Sequence, residues 1–305
     1  MKSLICKLFL VATFIVASNI SGFSQTRSKE HDLSPFDGIE ASDGFKVSIT
    51  SGERYSAKLT MDDALETYVQ CYVKAGVLHL ELDGKGMSKD LKKSYKGKNS
   101  SEPTLVAVVT MPSIKTLTLN EDAQFFSSGK ITADDLVVNL SGTASANNLN
   151  ITGKSLVLSA TKNAKFTNVT VDVEEAISVS ADGRAAVAID GQAKNISVIA
   201  GGSADINIRG EVEDEIKVDI SSGSKVIIAG KSSSLSLSGK GTTANIDASA
   251  LKTGKAMIAL TGVSADVSPV ESIELDLGRG AEVSFSGDPV VNLVKIQSAS
   301  VLRKQ

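Results

Sequence analysis

Ile177-Ser178-Val179-Ser180-Ala181-Asp182-Gly183-Arg184-Ala185-Ala186-Val187 is followed, nineteen residues on, by Ile196-Ser197-Val198-Ile199-Ala200-Gly201-Gly202-Ser203-Ala204-Asp205-Ile206. Each copy holds apolar residues two apart, then a three-residue turn with glycine, a small residue, and a second apolar alternation. Residues two apart share one face of a strand. Working outward, the first positions of eight such copies are Leu136, Leu156, Ile177, Ile196, Ile216, Leu235, Met257 and Ile273. Two residues on stand Val138, Leu158, Val179, Val198, Val218, Leu237, Ala259 and Leu275. The turns run from Ser141-Gly142-Thr143 to Gly278-Arg279-Gly280. Seven of the eight carry glycine and the eighth, Thr161-Lys162-Asn163, carries asparagine, the residue types that accept positive φ. A small residue follows each turn: Ala144, Ala164, Ala185, Ala204, Ser224, Thr243, Ala265 and Ala281.

A repeat of about twenty residues cannot bury its apolar face alone, but stacked copies share a continuous core. The pattern predicts an all-β chain, a right-handed parallel β-helix with about twenty residues per rung, over residues 113–290. An antiparallel barrel or sandwich would show turns every 8–12 residues with reversing direction instead. Residues 33–112 lack the repeat and read as an N-terminal β cap, with strands at Phe45/Val47/Ile49, Val69–Val73, Val77–Leu82 and Leu105–Val109. A helical turn is expected near Asp62–Leu65. Within the cap, the Lys-rich loop 84–102 reads as a surface segment, either functional or only solvated. Residues 291–305 read as a C-terminal tail.

Lys2, Lys7 and the apolar run Leu8–Ala17 read as a signal peptide over residues 1–24, since ten apolar residues are too few to span a bilayer, which needs about 20. No later segment reads as transmembrane. The expected location is therefore exported: periplasm, outer-membrane surface or extracellular. Without the leader, 30 basic residues face 35 acidic ones, a balance that argues against a nucleic-acid partner. Cys71 is then the one cysteine left, and it reads as a small buried hydrophobe rather than a reactive thiol.

Several motifs together resemble a known family. They are Phe36-Asp37-Gly38-Ile39 before the Phe45/Val47/Ile49 strand, Met111-Pro112 before the first rung, the Ser-Gly and Gly-Ser corners, and the ending Phe285-Ser286-Gly287-Asp288-Pro289. In this order they are similar to the putative auto-transporter adhesin head domain family, also called the head GIN domain, over about residues 33–290. The resemblance implies a β-helical exported protein of the kind common in Bacteroides-like bacteria, whose molecular function is not established. The chain departs from the pattern at Asp182-Gly183-Arg184, at Thr161-Lys162-Asn163, and at Phe285, where the family usually has tyrosine.

Candidate chemistry is sparse. Two histidines, His31 and His79, rule against a catalytic triad or a His-rich metal site, so no catalytic residue, metal or cofactor is assigned. The Ala200–Asp205 segment resembles a calcium-binding glycine-rich repeat, but it occurs once. The enzyme alternative is a polysaccharide lyase or hydrolase, which needs carboxylates on neighbouring rungs. Counting nine residues from each start gives Ser145, Lys165, Ala186, Asp205, Lys225, Ala244, Asp266 and Glu282. Asp266 and Glu282 form the acidic neighbours of this column, and Asp205 and Lys225 should pair. Binding fits better than catalysis: Asn147, Asn148 and Asn150, with Asn163 and Asn168 on the next rung, form an outward ladder for an extended ligand, although stacked asparagines are also a structural device. The expected function is a non-enzymatic, adhesin-like interaction module whose partner is a cell-surface glycan or protein. Self-association is the third reading, and the oligomeric state is open.

Overall fold

The computed structural model describes residues 25–96, 102–127 and 129–305. The predicted leader 1–24 lies outside them. The chain forms a β-solenoid of about nine turns. Strands β1 (Thr26–Asp32), β2 (Gly38–Ala41), β3 (Lys46–Ser51) and β4 (Ser56–Asp62) come first. A single 3-10 turn, Asp63–Leu65, leads to β5 (Val69–Lys74), β6 (Val77–Leu82), helix α1 (Lys89–Lys96) and β7 (Leu105–Met111). Next come β8 (Thr116–Leu119), β9 (Gln124–Phe126), β10 (Lys130–Leu140), β11 (Ser145–Asn147) and β12 (Asn150–Ala160). The long strands β13 (Lys165–Ala181), β14 (Ala186–Ala200), β15 (Asp205–Ser221), β16 (Lys225–Lys240), β17 (Asn245–Thr261) and β18 (Ser264–Leu277) follow. The last are β19 (Glu282–Phe285), β20 (Val290–Ile296) and β21 (Val301–Lys304).

The rungs stack in parallel register. Leu136 lies beside Leu156, Leu156 beside Ile177, Ile177 beside Ile196 and Ile196 beside Ile216. Alternation puts these side chains inside, where one apolar core runs from Phe36 to Phe285. The long strands bend around the second and third sides of the rung without breaking, so each rung has three faces. The sharp corner ends the first face. At this corner Gly183 and Gly202 hold φ of 78° and 66°, and the amide after each turn donates to the rung before it, as Asp205 N does to Ala185 O at 2.9 Å. The small residue beside the corner is buried in every case, Ala144, Ala164, Ala185, Ala204 and Ser224 among them.

The structure corrects the register of the seventh rung. Leu235 pairs with Ala256 and Leu237 with Ile258, not with Met257 and Ala259. Met257 points out and is 53% exposed. In the sixth copy the small corner residue is Ala244 rather than Thr243. In the seventh copy Val263 takes that place rather than Ala265, because the amides of Asn245, Ser264 and Glu282 donate to Ser224, Ala244 and Val263.

Both boundaries of the repeat also move. β2 and β3 are already a rung: β2 is parallel to β8 and β3 to β9, with Ser42-Asp43-Gly44 as the corner between them. The cap proper consists of β6 and β7 laid on β2 and β3, closed by antiparallel β5 and β4, with β1 as its outer edge. Residues 291–305 are not a tail, since β20 runs parallel to β18 and β21 to β19, adding one more rung. The Lys-rich segment 84–102 holds helix α1. Leu91 N donates to Ser88 Oγ at 3.2 Å, the expected side-chain cap of a helix start, and residues 97–101 lie outside the described structure.

Candidate functional site

The predicted asparagine ladder separates into three places. Asn147 and Asn148 meet Asn168 at the corner between the second and third faces. The Asn168 amide donates to Asn147 Oδ1 at 3.4 Å and Asn148 Oδ1 at 3.2 Å. Asn148 and Asn168 both take the left-handed conformation, φ 56° and 54°, which asparagine accepts more readily than most residues. This stack makes the turn and ties two rungs together. Asn150 starts the third face, in register with Lys130 and Thr170. Asn163 sits at the sharp corner, beside Gly142 and Thr143.

Asp266 and Glu282 do not face each other across rungs. Asp266 lies beside Asp247 on one side and Ser284 on the other, whereas Glu282 lies beside Ser264. The expected column slips because its sixth and seventh members are Asn245 and Ser264, not Ala244 and Asp266. Gln305 donates to Asp266 Oδ1 at 3.4 Å. Asp205 and Lys225 are in register but form no ion pair among the described residues. No group of three or more His, Cys, Asp or Glu side chains that could hold a metal occurs among those residues. Cys71 is half-buried on β5, and burial raises its thiol to about 11.

A groove of about 1040 Å³ runs along the third face and its exit corner, from Lys130 to Lys231. Its floor is the outward column Thr132, Thr152, Asp172, Gln192, Glu211 and Lys231, each in register with the next. Its wall is the exit corner, with Asp134, Lys154, Glu174, Lys194 and Glu213 on successive rungs. Charge alternates from rung to rung along the wall, whereas the floor runs from threonines through Asp172, Gln192 and Glu211 to Lys231. Lys231 reaches Glu211 at 3.6 Å and Lys154 reaches Glu175 at 3.7 Å; Thr132 and Thr152 hydroxyls stand 3.4 Å apart. Exposed ion pairs of this kind contribute about 0–1 kcal/mol, so their side chains can exchange partners at little cost. Six rungs at about 4.8 Å give a path of roughly 25 Å, suited to an extended chain.

The groove was not among the sequence-derived candidates, yet its floor obeys the same period. Its residues stand four or five positions before each rung's first core residue, a column that becomes legible once the start positions are aligned. A second cleft, about 680 Å³, lies between the cap and the sharp corners. Leu65, Leu82, Met87, Tyr95 and Pro103 supply apolar wall, and Asp43 and Asp122 supply carboxylates. The Asp43 carboxylate is held by Leu82 N at 3.0 Å and Ser42 Oγ at 2.7 Å, which fixes the cap on the first rung.

The model of the family described as "Putative auto-transporter adhesin, head GIN domain" matches residues 35–168 and again 144–289. The chain belongs to the head GIN domain family. Two overlapping matches are what a head GIN solenoid should give, because its rungs are near-equivalent and one stretch can align with either half of the family pattern. Among curated proteins none matches the chain. Among solved structures, one titled "putative adhesin" from Parabacteroides merdae is 16% identical, covers 93% of this chain and 98% of its own, and has a TM-score of 0.50. Another, titled "Putative lipid binding protein", from Parabacteroides distasonis, is also 16% identical with the same coverage and a TM-score of 0.46. At 16% identity the Parabacteroides merdae likeness shows the fold alone. No helix among the described residues is long and apolar enough to cross a membrane.

Proposed function

We propose that this head GIN protein is an exported, non-enzymatic interaction module that holds an extended cell-surface glycan along the third-face groove. The observation that carries the reading is the groove itself: a continuous polar path across six rungs, in which lysines and carboxylates alternate at one rung's spacing. Lys154, Lys194 and Lys231 would meet anionic groups of the ligand, and Thr132, Thr152 and Gln192 its hydroxyls. Such a surface gives affinity by repeated small contacts, which suits a repeating ligand. The adhesin description of the family supports the same reading. The carbohydrate-active enzyme loses its best acid pair, since Asp266 and Glu282 stand in different columns.

A glycan array probed with the protein should give binding to a charged glycan class. The triple substitution Lys154→Ala, Lys194→Ala and Lys231→Ala should weaken it at least tenfold while leaving the melting temperature within a few degrees, because all three side chains are exposed. New reducing or unsaturated ends after incubation with a polysaccharide panel would sink the non-enzymatic reading.

A further inference from the structure

Taken rung by rung, wall and floor together, the third-face groove changes sign at every step. On the wall Asp134, Lys154, Glu174, Lys194 and Glu213 follow one another. The floor keeps the same order. Beside Lys154 and Lys194 it carries the neutral Thr152 and Gln192, and beside Glu174 and Glu213 the acids Asp172 and Glu211. Lys231 then stands on the sixth rung, next to Glu211. On the first rung Lys130 and Asp135 offset each other and leave the sign of Asp134. From the rung of β10 to that of β16 the order is therefore negative, positive, negative, positive, negative, positive. These charges are not a ladder of bonds between wall neighbours. Lys154 reaches Glu175, which does not line the groove, rather than Glu174. Among the described residues Asp134, Glu174, Lys194 and Glu213 take part in no ion pair, and all five wall side chains are exposed.

Resting on the reading of this groove as the glycan site, we infer that its ligand is zwitterionic: a glycan whose successive rings carry an anionic group and an amine in turn, one ring to each rung. A polyanion laid over the six rungs would meet Lys154, Lys194 and Lys231, but it would also lie against the carboxylates of the other three. A polycation would have the converse fault. A neutral glycan would cover charges without pairing them, and that desolvation is unfavourable. A chain that changes sign at every ring offers each rung its opposite, and its like charges recur after two rungs, about 9.6 Å. An extended β-linked glycan advances by close to one rung per ring. An extended peptide does not keep this step, because its same-face side chains recur about 6.8 Å apart, out of phase with rungs at about 4.8 Å. The alternation thus selects by repulsion as well as by attraction, which is how a polar surface discriminates between ligands of similar shape.

Hyaluronan supplies the probe, because its glucuronate carboxylates alternate with N-acetylated amines. Three forms of one oligomer, long enough to span the six rungs, are titrated calorimetrically. They are hyaluronan itself, a polyanion; its N-deacetylated form, which alternates in sign; and the N-deacetylated form with its carboxyls methyl-esterified, a polycation. The alternating form should bind at least tenfold more tightly than either of the others. Glu174→Lys with Lys194→Glu keeps the net charge and breaks the alternation at its centre. That exchange should remove the preference while leaving the melting temperature within a few degrees, since both side chains are exposed. Equal or tighter binding of the polyanion or the polycation, no binding of any of the three, or a preference indifferent to the exchange overturns the inference. An array hit on a charged glycan that the triple lysine variant loses keeps the groove as a glycan site even then, whereas an array with no hit removes that site as well.

Discussion

At the scale of single residues, the solenoid is limited by how closely one rung approaches the next. Gly210 shows this best: a Cβ there would lie 1.9 Å from the carbonyl oxygen of Gly191 on the preceding rung. That contact is backbone, so neither partner can turn aside. Gly210→Ala should therefore destabilise the protein by about 3 kcal/mol, the upper range for overpacking. Gly84→Ala, with nothing within 4 Å of its Cβ, should stay within about 0.5 kcal/mol. Urea unfolding of the two variants checks both, and equal effects would remove the close-approach argument. Residue-level legibility follows similar lines. The inside of most rungs was plain because Ile177 and Val179 alternate with serines. In Ala256-Met257-Ile258-Ala259-Leu260 both parities are apolar, so the sequence pattern favoured Met257. Only the register against Leu235 and Leu237 settles it. A slip by one residue exchanges inside for outside, and that slip, together with a corner one residue shorter at Val263, gave the mistaken acidic pair of Asp266 and Glu282.

At the scale of elements, the least regular part of the cap is fixed by one buried carboxylate. Asp62, 3% exposed, accepts hydrogen bonds from Tyr95 OH at 3.1 Å and Thr104 N at 3.2 Å. Helix α1 is thereby tied to β4, and burial together with the bond to Asp62 pushes the Tyr95 phenol up to about 12. An unfolded tyrosine ionises near 10.0. Below that value both states are protonated and this stabilisation is complete. Between about 10 and 12 the unfolded chain releases the proton first, so stability falls as pH rises. Tyr95→Phe should cost about 1–2 kcal/mol, leaving Asp62 with one donor fewer, and should speed amide exchange in residues 89–96 without changing it in β14. A phenolate titration of the parent protein should show one late component near 12 that the variant lacks. Elements of this kind were hidden in the sequence because lysines dominate the segment and the tyrosine's partner lies 33 residues away. The outermost rungs were hidden for another reason. β2 and β3 hold only Ile39, Ala41, Val47 and Ile49, with Phe45 just before β3, until the chain leaves for the cap, and β20 lacks the usual alternation.

At the scale of the molecule, a solenoid's stability is close to a sum over neighbouring rungs, and this one allows that to be tested without adding a residue. Asp205 and Lys225 occupy the same position on successive rungs. Deleting residues 205–224 therefore joins Ala204 to Lys225 in register. Val187 would then face Val226, Ile189 would face Ile228 and Ile196 would face Leu235, apolar on apolar throughout. The shortened protein should fold with an unchanged β-type circular dichroism spectrum per residue, a rod about 4.8 Å shorter by small-angle scattering, and a modestly lower melting temperature. Deleting residues 205–214 instead removes half a rung, brings Glu215 to the corner and faces the wrong side of β16 to β14, so it should not give a folded protein. If the half-rung deletion folds as well as the full one, the core is not organised by rung register. The same logic bears on function. The full deletion takes Glu211 and Glu213 out of the groove but leaves Lys194 and Lys231 on adjacent rungs, so glycan binding along a ladder should survive it in weakened form. Binding at a single unique pocket there would be abolished.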